Sequence, residues 1–412
     1  MDLSAKLTQL LEERATRRDQ RNRANEALEA YGHYAPVWRR LCEYIGLSHT
    51  VSTVSGPSIV TPRLLGVGVT GPNPILLVEM LPGQLIEEFR READRMVATL
   101  GCRFLRFTPR DQRYLAIELL DADPLDTAVT VDLDMAGARH SVAKYPVMLA
   151  QTETGERIWL SWATAPHTVV QGATRSGKSV WCYSLLGQLV RCDDVLITGS
   201  DPSGLLLGRP YVGTRHREWQ AVGTQDVQAH VTVLRRIVAE MDRRISELPD
   251  REDTLVPSLA NPLLLVVLEE FAGLLRLAST LPTPRGEAKV TDQLRALFGR
   301  LVSEGHKVAI RLVVVSQRAD ASIIGGFERG QLGLRLSFRV TDPEALAMLH
   351  PEGRDWFADH AHAPAGVALL ETPTQTVTRV RGPRLTGDDL ADYAQYWDQV
   401  QAATACRQLH AA

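Results

Sequence analysis

Gly172-Ala173-Thr174-Arg175-Ser176-Gly177-Lys178-Ser179 is an unbroken G-x-x-x-x-G-K-S, and no other stretch of the 412 residues restricts the possible folds as strongly. A loop of this kind works between a buried strand and the first turn of a helix, where successive N–H groups and the positive helix end face the same phosphate oxygens. Both flanks comply: His167-Thr168-Val169-Val170 is a short apolar strand, and the run from Lys178 is compatible with a helix. The glycines let the backbone curl, Lys178 neutralises β/γ charge, and the Ser179 hydroxyl ligates Mg²⁺. The octapeptide therefore predicts a site for ATP with Mg²⁺.

The surroundings agree with that requirement. From about 151 to 385, apolar strand-like runs at 167–171, 195–199, 263–268 and 308–316 alternate with helix-compatible stretches from 178, over 227–247 and over 291–304. This alternation predicts an α/β fold with a mostly parallel sheet and helices on both faces. Further site residues belong at the carboxyl edge that holds the phosphate loop. The run Leu263 to Leu268 ends there in Glu269 and Glu270. One carboxylate can organise the metal's water shell while the next orients and deprotonates the attacking water, which assigns Glu269 to Mg²⁺ and Glu270 to the base. Taken alone, such a pair is also what a solvated strand end looks like. Ile310 to Ser316 runs into Gln317-Arg318, where an amide can sense the γ-phosphate. Asp201-Pro202, after Val195 to Gly199, reads by itself as a turn.

Upstream the pattern changes. Residues 1–48 read as a charged helix or helical hairpin, solvated, with Arg14, Arg17 and Arg18 interleaved with Glu12, Glu13 and Asp19. Residues 49–150 read as a small α+β accessory domain with strand-like runs at 58–65, 75–80, 104–107 and 115–120 around one helix over 84–100. Gly66-Val67-Gly68-Val69-Thr70-Gly71 fits G-x-G-x-x-G, but Pro72-Asn73-Pro74 follows. No helix can start there to present N–H groups to a pyrophosphate, so a turn between strands is expected. The tail, 386–412, suffices for one helix and no further domain.

Basic and acidic side chains nearly balance, 46 against 49, for a net charge of −3. Contact with a polyanion must then come from a local basic surface. Five scattered cysteines, Cys42, Cys102, Cys182, Cys192 and Cys406, show no zinc spacing and are expected as thiols in a reducing compartment. The charged N-terminus does not read as a signal peptide, and the apolar runs fall short of the roughly 18 residues a membrane-crossing helix needs. A cytoplasmic protein is expected, with no membrane span of its own and any attachment to the membrane peripheral.

Several segments in order resemble the FtsK/SpoIIIE family of hexameric double-stranded DNA translocases. They are Gly56-Pro57-Ser58-Ile59-Val60-Thr61, Pro166-His167 before the phosphate loop, Asp201-Pro202, Glu240-Met241-Asp242-Arg243-Arg244, Glu270-Phe271-Ala272 and Ser316-Gln317-Arg318. The resemblance implies a RecA-like motor domain over 151–385, the α+β domain before it, and ATP sites shared between subunits of a homohexameric ring. It implies that Lys178 and Ser179 serve phosphate and magnesium, that Glu270 is the catalytic glutamate and Gln317 the sensor, and that Arg335 reaches the adjacent subunit's ATP. A guanidinium supplied in trans stabilises charge on the transferring phosphoryl only when two subunits close together. The chain departs from the family in placing Glu269 where a metal-organising Asp is expected; Mg²⁺ tolerates little distortion, so whether turnover is slowed is left open by the sequence.

The missing winged-helix reader and membrane spans resemble a compact motor of an actinobacterial conjugative element, similar to Tra proteins, partnered by duplex DNA and membrane-associated transfer proteins. A ring gripping a duplex needs basic contacts that let go, which favours mobile loops. Ser279 to Lys289, with Arg285 and Lys289, and Ala319 to Gln331, with Arg329, are the candidates, although both also read as ordinary surface loops. Two other readings remain open: a protein-moving ATPase of the same family, and a nucleotide-binding scaffold with little hydrolysis.

Overall fold

The computed structural model describes residues 3–53, 56–69, 73–132, 140–208, 210–319, 325–351 and 353–386. The chain divides into two units after Pro124. In the first, α1 (Leu3–Tyr44) is followed by β1 (His49–Thr53), β2 (Gly56–Val60), β3 (Arg63–Val69), β4 (Pro74–Glu79), α2 (Ile86–Arg91), α3 (Ala93–Leu100), β5 (Phe104–Pro109) and β6 (Tyr114–Leu120). β1 and β2 pair antiparallel, and the other strands form an antiparallel sheet in the order β3-β4-β6-β5. Alternation along β4 sends Leu76 and Val78 inward, where they pack with Phe89, Met96, Leu115 and Ile117.

The N-terminal segment is one helix rather than a hairpin. Its last turns are core, because Trp38, Leu41 and Cys42 are buried in the same cluster and Trp38 Nε1 donates to Pro62 O at 2.8 Å. The helix expected over 84–100 is broken at Glu92 and stops at Gly101, whose φ of 73° is the left-handed cap that glycine favours. Gly66 and Gly68 lie inside β3 and pair with β4, so that glycine-rich run opens no helix.

The second unit contains β7 (Val129–Asp132), β8 (Val147–Thr152), β9 (Arg157–Leu160), β10 (Thr168–Gln171), α4 (Lys178–Leu189), β11 (Val195–Asp201), β12 (Gln220–Val222), α5 (Val227–Ser246), β13 (Leu263–Glu269), α6 (Phe271–Ser279), α7 (Val290–Glu304), β14 (Ile310–Ser316), α8 (Gly326–Gln331), β15 (Leu334–Phe338), α9 (Pro343–Leu349), α10 (Phe357–His360), β16 (Val367–Thr372), β17 (Gln375–Arg381) and β18 (Pro383–Thr386). Ten strands form one sheet in the order β12-β11-β13-β14-β10-β15-β16-β17-β8-β9. The first six are mutually parallel, and the last four are added antiparallel.

The central strands are buried on both faces, as a sheet covered by helices on each side requires. Val195 and Ile197 pack with Trp181 and Leu185 of α4, while Leu264, Val266 and Leu268 pack with Leu234 of α5, Phe271 of α6 and Phe298 of α7.

The domain boundary expected near 150 lies at Pro124/Leu125 instead. β8 belongs to the large sheet because its partner is β17, far along the chain (Thr152 opposite Val380), a pairing that local periodicity does not encode. The helix expected over 386–412 falls outside the described residues beyond Thr386. Among the described residues no helix is long and apolar enough to cross a membrane. The Glu240–Arg244 segment braces the fold: buried Arg244 donates to Glu240 Oε1 at 2.7 Å and to Val308 O at 3.1 Å, and Arg300 of α7 pairs with Asp242 at 2.6 Å.

Candidate nucleotide site

Strand register brings the separated motifs together. Gln171 at the end of β10 lies opposite Ser316 of β14, and Glu269 of β13 lies opposite Val315, so Glu270, Gln317 and the phosphate loop leave three adjacent strands at one edge. A cleft of about 470 Å³ there is lined by Glu269, Glu270 and Gln317 together with Pro202, Ser203, Thr224, Gly273, Leu274 and Leu277.

The phosphate loop joins β10 to α4 with Gly172 at φ 153°, Arg175 at φ 62° and Gly177 at φ 110°. A Cβ at Gly177 would lie 2.6 Å from Gly366 N, and one at Gly172 would lie 2.7 Å from Phe338 Cβ, so only glycine fits either place. Thr174, Arg175 and Ser179 are exposed, whereas Ser176 is buried and its Oγ has no hydrogen-bond partner. Lys178 folds back to donate to the carbonyls of Gly172 and Ala173. Burial pushes its ammonium below the usual range, opposed in part by the carboxylates of Glu270 and Glu269. A cation held by neutral carbonyls, an orphaned hydroxyl and glycines that leave the backbone bare fit a triphosphate.

A clasp that the motif does not announce braces the loop. Ala173 N donates to Arg339 O at 2.7 Å, Gly366 N to Ser176 O at 2.8 Å, and Gly382 N to Gly366 O at 2.8 Å. Gly366 and Gly382 were invisible in sequence because backbone contacts leave no residue-type signature; their only trace is that they are glycines.

Burial first, then the negative charge of Asp201 and Glu270, raises the Glu269 pKa to about 7. Its Oε2 is buried with no hydrogen-bond partner, an oxygen that Mg²⁺ would satisfy. Asp201 is a turn brace, as its sequence context suggests, accepting from Ser203 Oγ at 2.7 Å, Gly204 N at 2.8 Å and Leu207 N at 2.6 Å. It has a second effect, since its buried charge helps keep Glu269 protonated. Glu270 holds φ 43°, a left-handed conformation rare for a non-glycine residue, of the kind that collects at functional sites.

A carboxyl whose folded pKa lies above its unfolded one binds more protons when folded, so stability falls as pH rises through that window. The nucleotide-free protein is therefore expected to lose stability between about pH 4.5 and 7 through Glu269, by roughly 1–2 kcal/mol after allowance for solvent screening. Urea unfolding at pH 5 and pH 8 checks this: Glu269→Gln should be relatively more stable at pH 8, and a variant-minus-wild-type difference independent of pH would contradict it.

The remaining candidates lie elsewhere. Arg335 is not in the cleft. It sits on β15 opposite Val169, with its guanidinium donating to Leu332 O at 3.2 Å, Leu349 O at 3.0 Å and Glu371 Oε1 at 3.2 Å. Arg329, expected on a loop, is in α8, half-buried, and donates to Met348 O at 3.2 Å. Residues 326–331 are helical because Arg329 N and Leu332 N close turns onto Gly325 O and Glu328 O. Residues 320–324 of that candidate loop fall outside the described residues. Arg285 and Lys289 are exposed on the connection between α6 and α7.

A phosphate loop at the carboxyl edge of a mostly parallel sheet, with carboxylates and an amide on the two neighbouring strands, defines a P-loop NTPase fold. Over part of its length the sequence is similar to a known family: residues 131–254 match the FtsK/SpoIIIE family model. Among curated proteins it is similar to the DNA translocase FtsK of Vibrio vulnificus, 23% identical over 381 residues, covering 82% of this chain and 36% of that protein. It is also similar to FtsK of Haemophilus influenzae, 24% identical, covering 64% of this chain and 54% of that protein. The chain thus spans between about a third and a half of these relatives' length. Among solved structures, the pCW3 conjugation coupling protein TcpA, determined as a monomer with ATPγS, shares the fold with a TM-score of 0.52 at 18% identity, covering 85% of this chain and 94% of that one.

Proposed function

We propose that this chain is an ATP-hydrolysing motor that moves double-stranded DNA, acting in conjugative transfer of plasmid or integrative-element DNA. The observation that carries the reading is the convergence of phosphate loop, carboxylate pair and Gln317 at one sheet edge in a chain with an FtsK/SpoIIIE segment. The fold shared with a conjugation coupling protein over nearly its whole length supports the transfer setting.

In this reading the amides of residues 173–178 cradle the phosphates and Lys178 turns from its own loop carbonyls to the β/γ oxygens. Ser179 and Glu269 hold Mg²⁺, which when bound neutralises phosphate charge. Glu270 orients the attacking water and takes its proton, and Gln317 reports whether the γ-phosphate is present. Arg335 acts on the ATP of the next subunit in a homohexameric ring, and the exposed Arg285 and Lys289 touch the DNA backbone. The protein works in the cytoplasm and meets the membrane through transfer proteins.

Purified protein is expected to hydrolyse ATP in Mg²⁺, with turnover raised at least fivefold by linear duplex DNA. Displacement of a triplex-forming strand from that duplex reads translocation directly. Turnover indifferent to duplex in the assembled oligomer would sink the DNA assignment and favour a protein-moving ATPase. Tight ATP binding without phosphate release, restored by Glu269→Asp, would mark a nucleotide-binding scaffold.

A further inference from the structure

A chain of hydrogen bonds crosses the interior on one face of the sheet and ends at Arg335. Ala319 N, two residues past Gln317, donates to Gln171 Oε1 at 3.1 Å. Gln171 Nε2 reaches Ser337 Oγ at 2.9 Å and Ala345 O at 2.8 Å. Ser337 Oγ pairs with His350 Nε2 at 2.9 Å, and His350 Nδ1 with Glu371 Oε2 at 2.8 Å. The other Glu371 oxygen takes Arg335 Nη1 at 3.2 Å.

The donors and acceptors can be assigned in one consistent order. The carboxylate fixes the proton on Nδ1, which leaves Nε2 to accept from the Ser337 hydroxyl, which in turn accepts from the Gln171 amide. Gln171 and Ser337 face each other in register across β10 and β15, and Arg335 and Glu371 do so across β15 and β16. Gln171, Ser337 and His350 are each fully buried. Aliphatic residues would fill this space with nothing to satisfy, and a buried polar chain of this length is favourable only when every member is paired. Both ends touch the proposed machinery: at one, Ala319 follows Gln317 by two residues and bonds to Gln171, the last residue before the phosphate loop, and at the other stands Arg335.

We propose that Gln171, Ser337, His350 and Glu371 are positioning residues that tie the placement of Arg335 to the state of the subunit's own nucleotide. Displacement of the Gln317 loop by a γ-phosphate moves the Ala319 N–H that orients the Gln171 amide. The change passes through Ser337 and His350 to the carboxylate that holds the guanidinium. Glu371 thus retains Arg335 in its own subunit or releases it toward the neighbour. This rests on the reading of Arg335 as an arginine acting in trans.

The test measures kcat and KM for ATP with saturating duplex DNA, and affinity for a fluorescent ATP analogue, in Ser337→Ala, Ser337→Thr, Glu371→Gln, Arg335→Ala and the Ser337→Ala/Arg335→Ala double variant of the full chain. The proposal expects Ser337→Ala to lower kcat at least fivefold with KM and analogue affinity within twofold. Ser337→Thr, which restores the hydroxyl, should keep at least half of kcat, and the double variant should be no slower than Arg335→Ala alone. Glu371→Gln, which keeps the side-chain volume, should lower kcat at least threefold and serves if Ser337→Ala does not fold. Wild-type kcat in Glu371→Gln and in every folded Ser337 variant, with collapse in Arg335→Ala, overturns the relay and leaves the trans arginine standing. Wild-type kcat in Arg335→Ala overturns both.

Discussion

Lys178→Ala should reduce Mg²⁺-dependent ATP turnover by about 10²–10³-fold, the scale set by losing one preorganised charged donor from developing phosphoryl charge. The loss should appear in binding as well as in kcat, because Lys178 is the one cation of the phosphate loop that lies half-buried against it, Arg175 being exposed. Little unfolding is expected. Among the described residues the ammonium donates to the loop carbonyls of Gly172 and Ala173 alone, and burial already disfavours its charge. Phosphate release under saturating ATP, alongside a thermal melt, separates the two effects. Turnover within threefold of wild type would remove the phosphate loop from the chemistry.

Glu270→Gln is expected to give a different signature: kcat lower by about 10²–10⁴-fold, the usual contribution of a general base, with affinity for ATP kept within a few-fold. The amide is isosteric, so the left-handed turn at φ 43° that aims this side chain into the cleft should persist. The substitution also removes an ion pair with Arg276 at 3.8 Å, but that side chain is 75% exposed and a pair of this kind contributes little. Single-turnover kinetics with a fluorescent ATP analogue discriminate the outcomes. Equal losses in affinity and rate would make Glu270 a binding group, and Glu269, with its raised pKa and unpaired Oε2, would then be the carboxylate to examine as base.

Residues whose function depends on near neighbours in the chain were legible. Gly172 to Ser179 announces itself because amides, lysine and hydroxyl must all sit within one turn of a strand–helix junction, and the structure places that junction at Gln171 and Lys178. The parallel core was legible from alternation, since strands buried on both faces need continuous apolar runs such as Leu263 to Leu268. The antiparallel wing was not. The start of β8 falls inside the expected 49–150 domain, and only its pairing with β17, more than 200 residues later, assigns it to the large sheet; the structure divides the chain about 25 residues earlier than expected. Arg329 read as a loop cation, although capping contacts make 326–331 a helix and Met348 O takes its guanidinium.

Sequence alone put forward the candidate groups, namely a phosphate loop, a lysine, a hydroxyl, two carboxylates and an amide, each picked out by residue type and by position at the end of an apolar run. Only the tertiary structure decided which of these groups meet. Register across β13, β14 and β10 is set by packing on both faces of the sheet, so the alignment of Glu270, Gln317 and Lys178 at one edge appears only when the strands are side by side. The same holds for the Gly366 clasp and the buried path from Gln171 to Arg335, whose members are separated by up to 200 residues of chain and joined by hydrogen bonds that no local pattern records.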